Sequence, residues 1–273
     1  MNTRRLAVGL LVGATVIVGC KDPSTPVRPT GVPSGPRAIV AGQIDPGHPY
    51  VGALIFDVPS PSWFPVAYQP WYCSGTLLSR RVIQTAAHCF TLAAQDGGYP
   101  AFDLPVSRVH VSFAQNVTDP SSWRSVSGYA FHPDYVTSWA GDPFGVLPDV
   151  ALVFLSQPVN DIEPGRLAPA GYLESFATVK NPELKAVPFW EVGYGMLGAD
   201  DNFALTGDRR LATASFQGLD ANFLTLRDPG GGCYGDSGGP ILVQSDGVEY
   251  VVHIRSSSDQ ARRPREAGLH GRF

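Results

Sequence analysis

The chain has 273 residues, a formal charge of −4 and only 16% charged residues. No basic excess exists to neutralise a phosphate backbone, so nucleic acid is excluded as an expected partner. With 30 glycines and 25 prolines, the composition favours short strands and many turns over long helices. The length suits two modest barrels or one large domain, and no internal repeat is present.

Met1–Cys20 reads as an export signal. Arg4 and Arg5 form a basic start, and Leu6–Val18 is an apolar run too short for a comfortable membrane span. The stretch Ile17, Val18, Gly19, Cys20 resembles a bacterial lipobox, which implies a lipid on Cys20 and attachment to the cell envelope. Lys21 follows instead of the inner-membrane retention aspartate, so the outer membrane is expected where there are two. Residues 21–38 are rich in Pro, Ser and Thr, cannot bury a core, and read as a tether or propeptide. Beyond it, Val51–Val58, Cys73–Leu78 and Val82–Thr85 read as strands, and Ser60–Pro70 as a loop. His88 is expected in a turn after Thr85, Ala86 and Ala87. Val106–Phe113 alternates with period two, as a half-buried strand does. His48, His110, His132, His253 and His270 lack a distinctive setting and read as structural. Asp149 runs directly into the apolar stretch Val150–Leu155, which favours it over Asp134 and Asp142 as a buried carboxylate. Ser156–Pro169 reads as a connector. Val187–Gly195, Arg209–Ala214, Phe223–Leu226 and Tyr250–Ile254 read as further strands.

Gly231–Pro240 is the most distinctive stretch, with Ser237 set among glycines and directly after Asp236. Glycines let the backbone take φ > 0 and let other atoms approach closely. Such a turn can aim N–H groups at one point beside the Ser237 hydroxyl, where an oxyanion could be stabilised. A serine hydroxyl is a poor nucleophile near neutral pH; it needs a base, and the base needs an orienting carboxylate. His88, Asp149 and Ser237 supply these three in chain order.

These stretches resemble the chymotrypsin-like (trypsin-family) serine proteases from about Ile39 to the C-terminus. The resemblance implies an all-β fold of two six-stranded antiparallel barrels, one at about 39–155 and the other at about 156–273. It implies hydrolysis of peptide bonds, a polypeptide substrate, a monomer, and no metal or organic cofactor. His88, Asp149 and Ser237 would be catalytic, and the N–H groups of Gly235 and Ser237 would form the oxyanion hole. Cys73 and Cys89 match the family disulfide, whereas the family partner of Cys233 is missing. An activating protease cutting before Ile39 would free an ammonium to pair with Asp236. No second cysteine ties the tether to the body, so the same cut would release the domain from its lipid. Gly231, Arg255, Ser256, Ser258 and Gly268 fall at the specificity pocket. Gly231 is not an acid, which disfavours cleavage after Arg or Lys; small or apolar side chains come first and acidic ones second. The tail departs from the family pattern. Arg255 replaces an apolar pocket wall, arginines run through 262–265, and the terminal helix is absent. That departure keeps open a catalytically impaired homologue acting as a surface-anchored binding protein, and an esterase that retains the three residues is a further alternative.

Overall fold

A computed structural model describes residues 42–59, 70–136, 148–177, 186–197, 204–219, 223–227, 232–258 and 268–271. Cys20, the tether, Ile39 and Gly231 lie outside the described residues. So does the arginine run at 262–265. Among the described residues no helix is long and apolar enough to cross a membrane.

A short strand β1 (Gln43–Ile44) leads into β2 (Val51–Phe56), β3 (Trp71–Ser79) and β4 (Val82–Thr85). These are followed by β5 (Val109–Ser112), β6 (Arg124–Phe131) and β7 (Ala151–Leu155). Strands β2 to β7 close into a barrel in the order β2-β3-β4-β7-β6-β5. Every residue of β2 is buried, because one face fills the barrel and the other packs on the second half of the molecule. Leu54 and Phe56 join Leu77, Ile83, Phe90 and Val153 inside, while Val51, Ala53 and Ile55 meet Val192, Tyr194 and Leu242.

The second half holds β8 (Pro188–Gly193), β9 (Arg210–Leu219) and β10 (Phe223–Arg227). It continues through β11 (Pro240–Ser245), β12 (Val248–Ser258) and β13 (Gly268–Gly271). The strand order is β1-β9-β10-β13-β12-β11-β8, and β8 pairs again with β9. Six of these strands therefore form a ring, and β1 adds to the outside of β9. Phe176 of a short helix, α2 (Glu174–Ala177), packs on Phe189, Leu226 and Ile241 in its core. This is the two-barrel architecture that the sequence implied.

Three local expectations change. His88 opens a helix, α1 (His88–Asp96), rather than a turn. Helix α1 is buried from His88 to Ala94, so no polar stripe marks its period in the sequence. Val106–Arg108 forms a single 3-10 turn after Pro105, and only Val109–Ser112 joins the barrel. Strands β6 and β11 were not anticipated. The second is set by a two-residue hairpin at Asp246 and Gly247, both with positive φ, the type I′ geometry that Asp-Gly favours.

Candidate active site

The pairing of β4 with β7 puts Thr85 opposite Ala151. His88 follows the end of β4 and Asp149 precedes the start of β7, so the register brings them together. The Asp149 Oδ2 atom lies 2.6 Å from His88 Nδ1, and Oδ1 accepts the His88 backbone N–H at 2.8 Å. The Ser256 hydroxyl, from β12 of the other barrel, donates to Oδ2 at 2.5 Å. All three residues are buried. Burial alone would raise the Asp149 pKa, but the His88 charge and the bonds from His88 and Ser256 hold it below the ordinary carboxylate value. An ionised carboxylate only accepts, so Nδ1 carries the proton and Nε2 keeps its lone pair when the ring is neutral.

The Ser237 loop is held against the same place from several sides. Gly235 and Gly238 both have positive φ, 97° and 80°. A Cβ on Gly238 would lie 2.1 Å from Thr85 Oγ1 and 2.7 Å from the Ala86 nitrogen. Only glycine lets the loop close this tightly on the segment before His88. The Ser237 carbonyl accepts from the Ser74 N–H at 2.8 Å and lies 3.9 Å from the Cys89 sulfur. Cys89 is disulfide-bonded to Cys73, with their Cα atoms 6.3 Å apart, so the sulfur contact is packing and not donation. Ser74 Oγ donates to the Gly235 carbonyl at 2.8 Å and accepts from the Tyr194 N–H at 3.0 Å. Among the described residues, the N–H groups of Gly235 and Ser237 donate to no protein acceptor.

Asp236 points away from Ser237 into the second barrel. Its carboxylate accepts from the N–H groups of Gly195 and Cys233, each at 2.8 Å. A Cβ on Gly195 would sit 2.3 Å from its carboxyl carbon, and one on Gly193 would sit 2.4 Å from Oδ1. The two glycines flanking Tyr194 therefore make room for this buried acid. Burial pushes its pKa up to about 6, although the Arg255 charge and the two N–H bonds pull the other way.

Arg255 is buried and ion-paired with Glu191 of β8, also buried. Its guanidinium lies against Gly232, where a Cβ would come within 1.9 Å of Cζ. Sequence reasoning missed Glu191, whose signal was a lone acid in an otherwise apolar strand. It missed Ser74 too, which nothing marked. Ser256 meets Asp149, whereas the Ser258 side chain lies outside the described atoms and Gly268 is described only as the first residue of β13. Cys233 is a free thiol, pushed up to about 11 chiefly by burial, and is no nucleophile near neutral pH. Atoms of Cys73, His88 and Cys89 cluster within 4.8 Å of one another, but the disulfide leaves no thiolate there to bind a metal.

A second cluster lies away from this site. His48 bridges Asp45 and Glu249, at 2.9 and 3.0 Å, and the Tyr50 hydroxyl donates to Glu249.

A family model described as Trypsin matches residues 58–272. Transmembrane protease serine 11C of Mus musculus is 29% identical over 217 residues, covering 73% of this chain and 45% of its own length. Testisin of Homo sapiens is 25% identical over 225 residues, covering 72% of this chain and 65% of its own length. Serine protease 41 of Homo sapiens is 27% identical over 225 residues, covering 72% and 64%. The chain thus spans between 45% and 65% of the length of these relatives. With the family model covering most of the chain and the two-barrel fold in place, the chain belongs to the trypsin family of chymotrypsin-like serine proteases.

Proposed function

We propose that the protein is a serine endopeptidase that hydrolyses peptide bonds through an acyl-enzyme. His88 takes the proton of the Ser237 hydroxyl as its oxygen attacks the scissile carbonyl, and returns it to the leaving amine. Asp149 fixes the ring orientation and stabilises the imidazolium. The N–H groups of Gly235 and Ser237 receive the oxyanion. Water then repeats the sequence on the acyl-enzyme and frees the acid product. The observation that carries this reading is the buried His88–Asp149 pair at 2.6 Å, with the Ser237 loop seated against Thr85 and Ala86.

The substrate side chain before the scissile bond is small. Arg255 packs against Gly232, a neighbour of the expected pocket base, and takes up space there. Its positive charge disfavours a basic side chain, and its pairing with Glu191 weakens the case for an acidic one. The protein is exported and lipid-anchored at Cys20. Cleavage before Ile39 adds an ammonium near Asp236, a buried carboxylate whose pKa burial raises and the Arg255 charge lowers, so the ammonium supplements Arg255. The test is a peptide series differing only at this position. Cleavage after Ala or Gly, at least about tenfold faster than after Arg, Phe or Glu and abolished by Ser237→Ala, is the expected result. Cleavage after Arg as the fastest of the series contradicts the pocket assignment.

A further inference from the structure

Three buried charged side chains lie close behind the Ser237 loop, two of them paired as Glu191 and Arg255, and they come from three separate segments. Glu191 comes from β8, Asp236 from the loop itself, and Arg255 from β12. All three are at least 97% buried, with exposures of 1%, 1% and 3%. Arg255 grips the loop through its backbone as well. Its carbonyl accepts from the Gly238 N–H at 2.7 Å, and its N–H donates to the Gly239 carbonyl at 2.9 Å. Its side chain lies on Gly232 at the other end of the loop. Both flanks of Ser237 thus rest on one arginine.

We propose that Arg255, held in place by Glu191, is a positioning residue for Ser237: its guanidinium is the built-in counter-charge of Asp236 and keeps the 232–240 loop in its bonded form. The inference rests on the assignment of Ser237 as the nucleophile. An ionised Asp236 accepts fully from Gly195 and Cys233, and those bonds fix the turn that carries Ser237. A protonated one is a weaker acceptor and loosens it. Before cleavage, the charged or titratable groups acting on Asp236 among the described residues are Arg255, which favours ionisation, Glu191, which opposes it less strongly, and the neutral Cys233 thiol. With Arg255 present the carboxyl titrates near 6 and is ionised at neutral pH. An opposite charge close by is worth roughly one to three pKa units, so without it Asp236 is protonated near pH 7.

The test uses the full chain, before and after proteolytic removal of the residues ahead of Ile39. Arg255→Met alone leaves two buried carboxylates facing each other and endangers folding. The double variant Glu191→Leu/Arg255→Met removes the pair together and keeps the volume. It is expected to fold, as read by near-ultraviolet circular dichroism. Its fluorophosphonate labelling at pH 7 is expected to be at least about tenfold slower, with the acid limb of the labelling profile moved up by about one pH unit. Hydrogen exchange is expected to rise in the 232–240 peptide and not in β2 or β3. Arg255→Lys, which keeps the charge, is expected to restore the profile. A double variant with wild-type rate, limb and exchange overturns the proposal, and so does a slower rate with an unmoved limb. If the wild type labels in neither form, the nucleophile assignment fails, and exchange in the 232–240 peptide still decides whether Arg255 orders the loop.

Discussion

The Ser256 hydroxyl sits on the far side of Asp149 from His88, and its effect can be isolated. Its bond to Oδ2 is one of the forces holding the Asp149 pKa down. Ser256→Ala leaves a buried charge with one donor fewer, at a cost of about 2 kcal/mol. A carboxylate with a depressed folded pKa contributes stability above its unfolded pKa and loses it as pH falls through the folded value. The variant is therefore expected to unfold in acid at a higher pH than the wild type, and to label with fluorophosphonate about tenfold more slowly at pH 7. Denaturation followed against pH checks the first and labelling rate the second. At this scale the sequence was legible where chemistry demands a particular residue type. Ser237, His88 and Asp149 each stood in a context that a chance residue lacks. Glu191 did not, because its meaning depends on Arg255, 64 residues away in the chain, which no local pattern connects to it.

Among the elements, strands with a strong apolar pattern were legible and those made by their neighbours were not. Strand β2 was visible as a continuous apolar run. Strand β6 alternates poorly and is mostly half-exposed, and it exists because β5 and β7 both pair with it. Between β1 and β2 lies the His48 cluster, which sequence reading treated as ordinary. Burial alone would lower the His48 pKa, but hydrogen bonds to Asp45 and Glu249 more than offset it and raise the value to about 9. A histidine whose folded pKa is raised contributes stability that is complete below its unfolded value near 6.5 and is lost as pH rises through the folded one. The melting temperature is expected to fall between about pH 6.5 and 9, by an amount corresponding to roughly 2 kcal/mol. His48→Phe is expected to flatten that slope, and a slope unchanged in this variant would remove His48 from the account.

Across the whole molecule, the site exists because the two barrels meet there. His88 and Asp149 belong to the first, while Ser237 and Ser256 belong to the second. The interface is held by more than apolar packing. Arg209 is buried and donates to the carbonyls of Asp45 and Phe113, each at 3.1 Å. Its Nη1 also donates to the Tyr194 hydroxyl at 3.1 Å, and Tyr194 in turn donates to the Ala114 carbonyl at 2.7 Å. Such a framework holds the proposed catalytic groups on rigid elements of both halves, so that little would reorganise when charge develops. The fold class was legible because the motifs named a family. The contacts that join the halves were not, since Arg209 and Tyr194 carry no chemistry of their own.

The central claim is that the buried His88–Asp149 pair activates Ser237. The most direct measurement is peptide mapping of the protein after reaction with a fluorophosphonate, comparing wild type, Ser237→Ala and His88→Ala. A single adduct on Ser237, absent in Ser237→Ala and formed at least about 10³-fold more slowly in His88→Ala, is the predicted result. An adduct on another residue, or labelling of Ser237 at an unchanged rate in His88→Ala, would contradict the account.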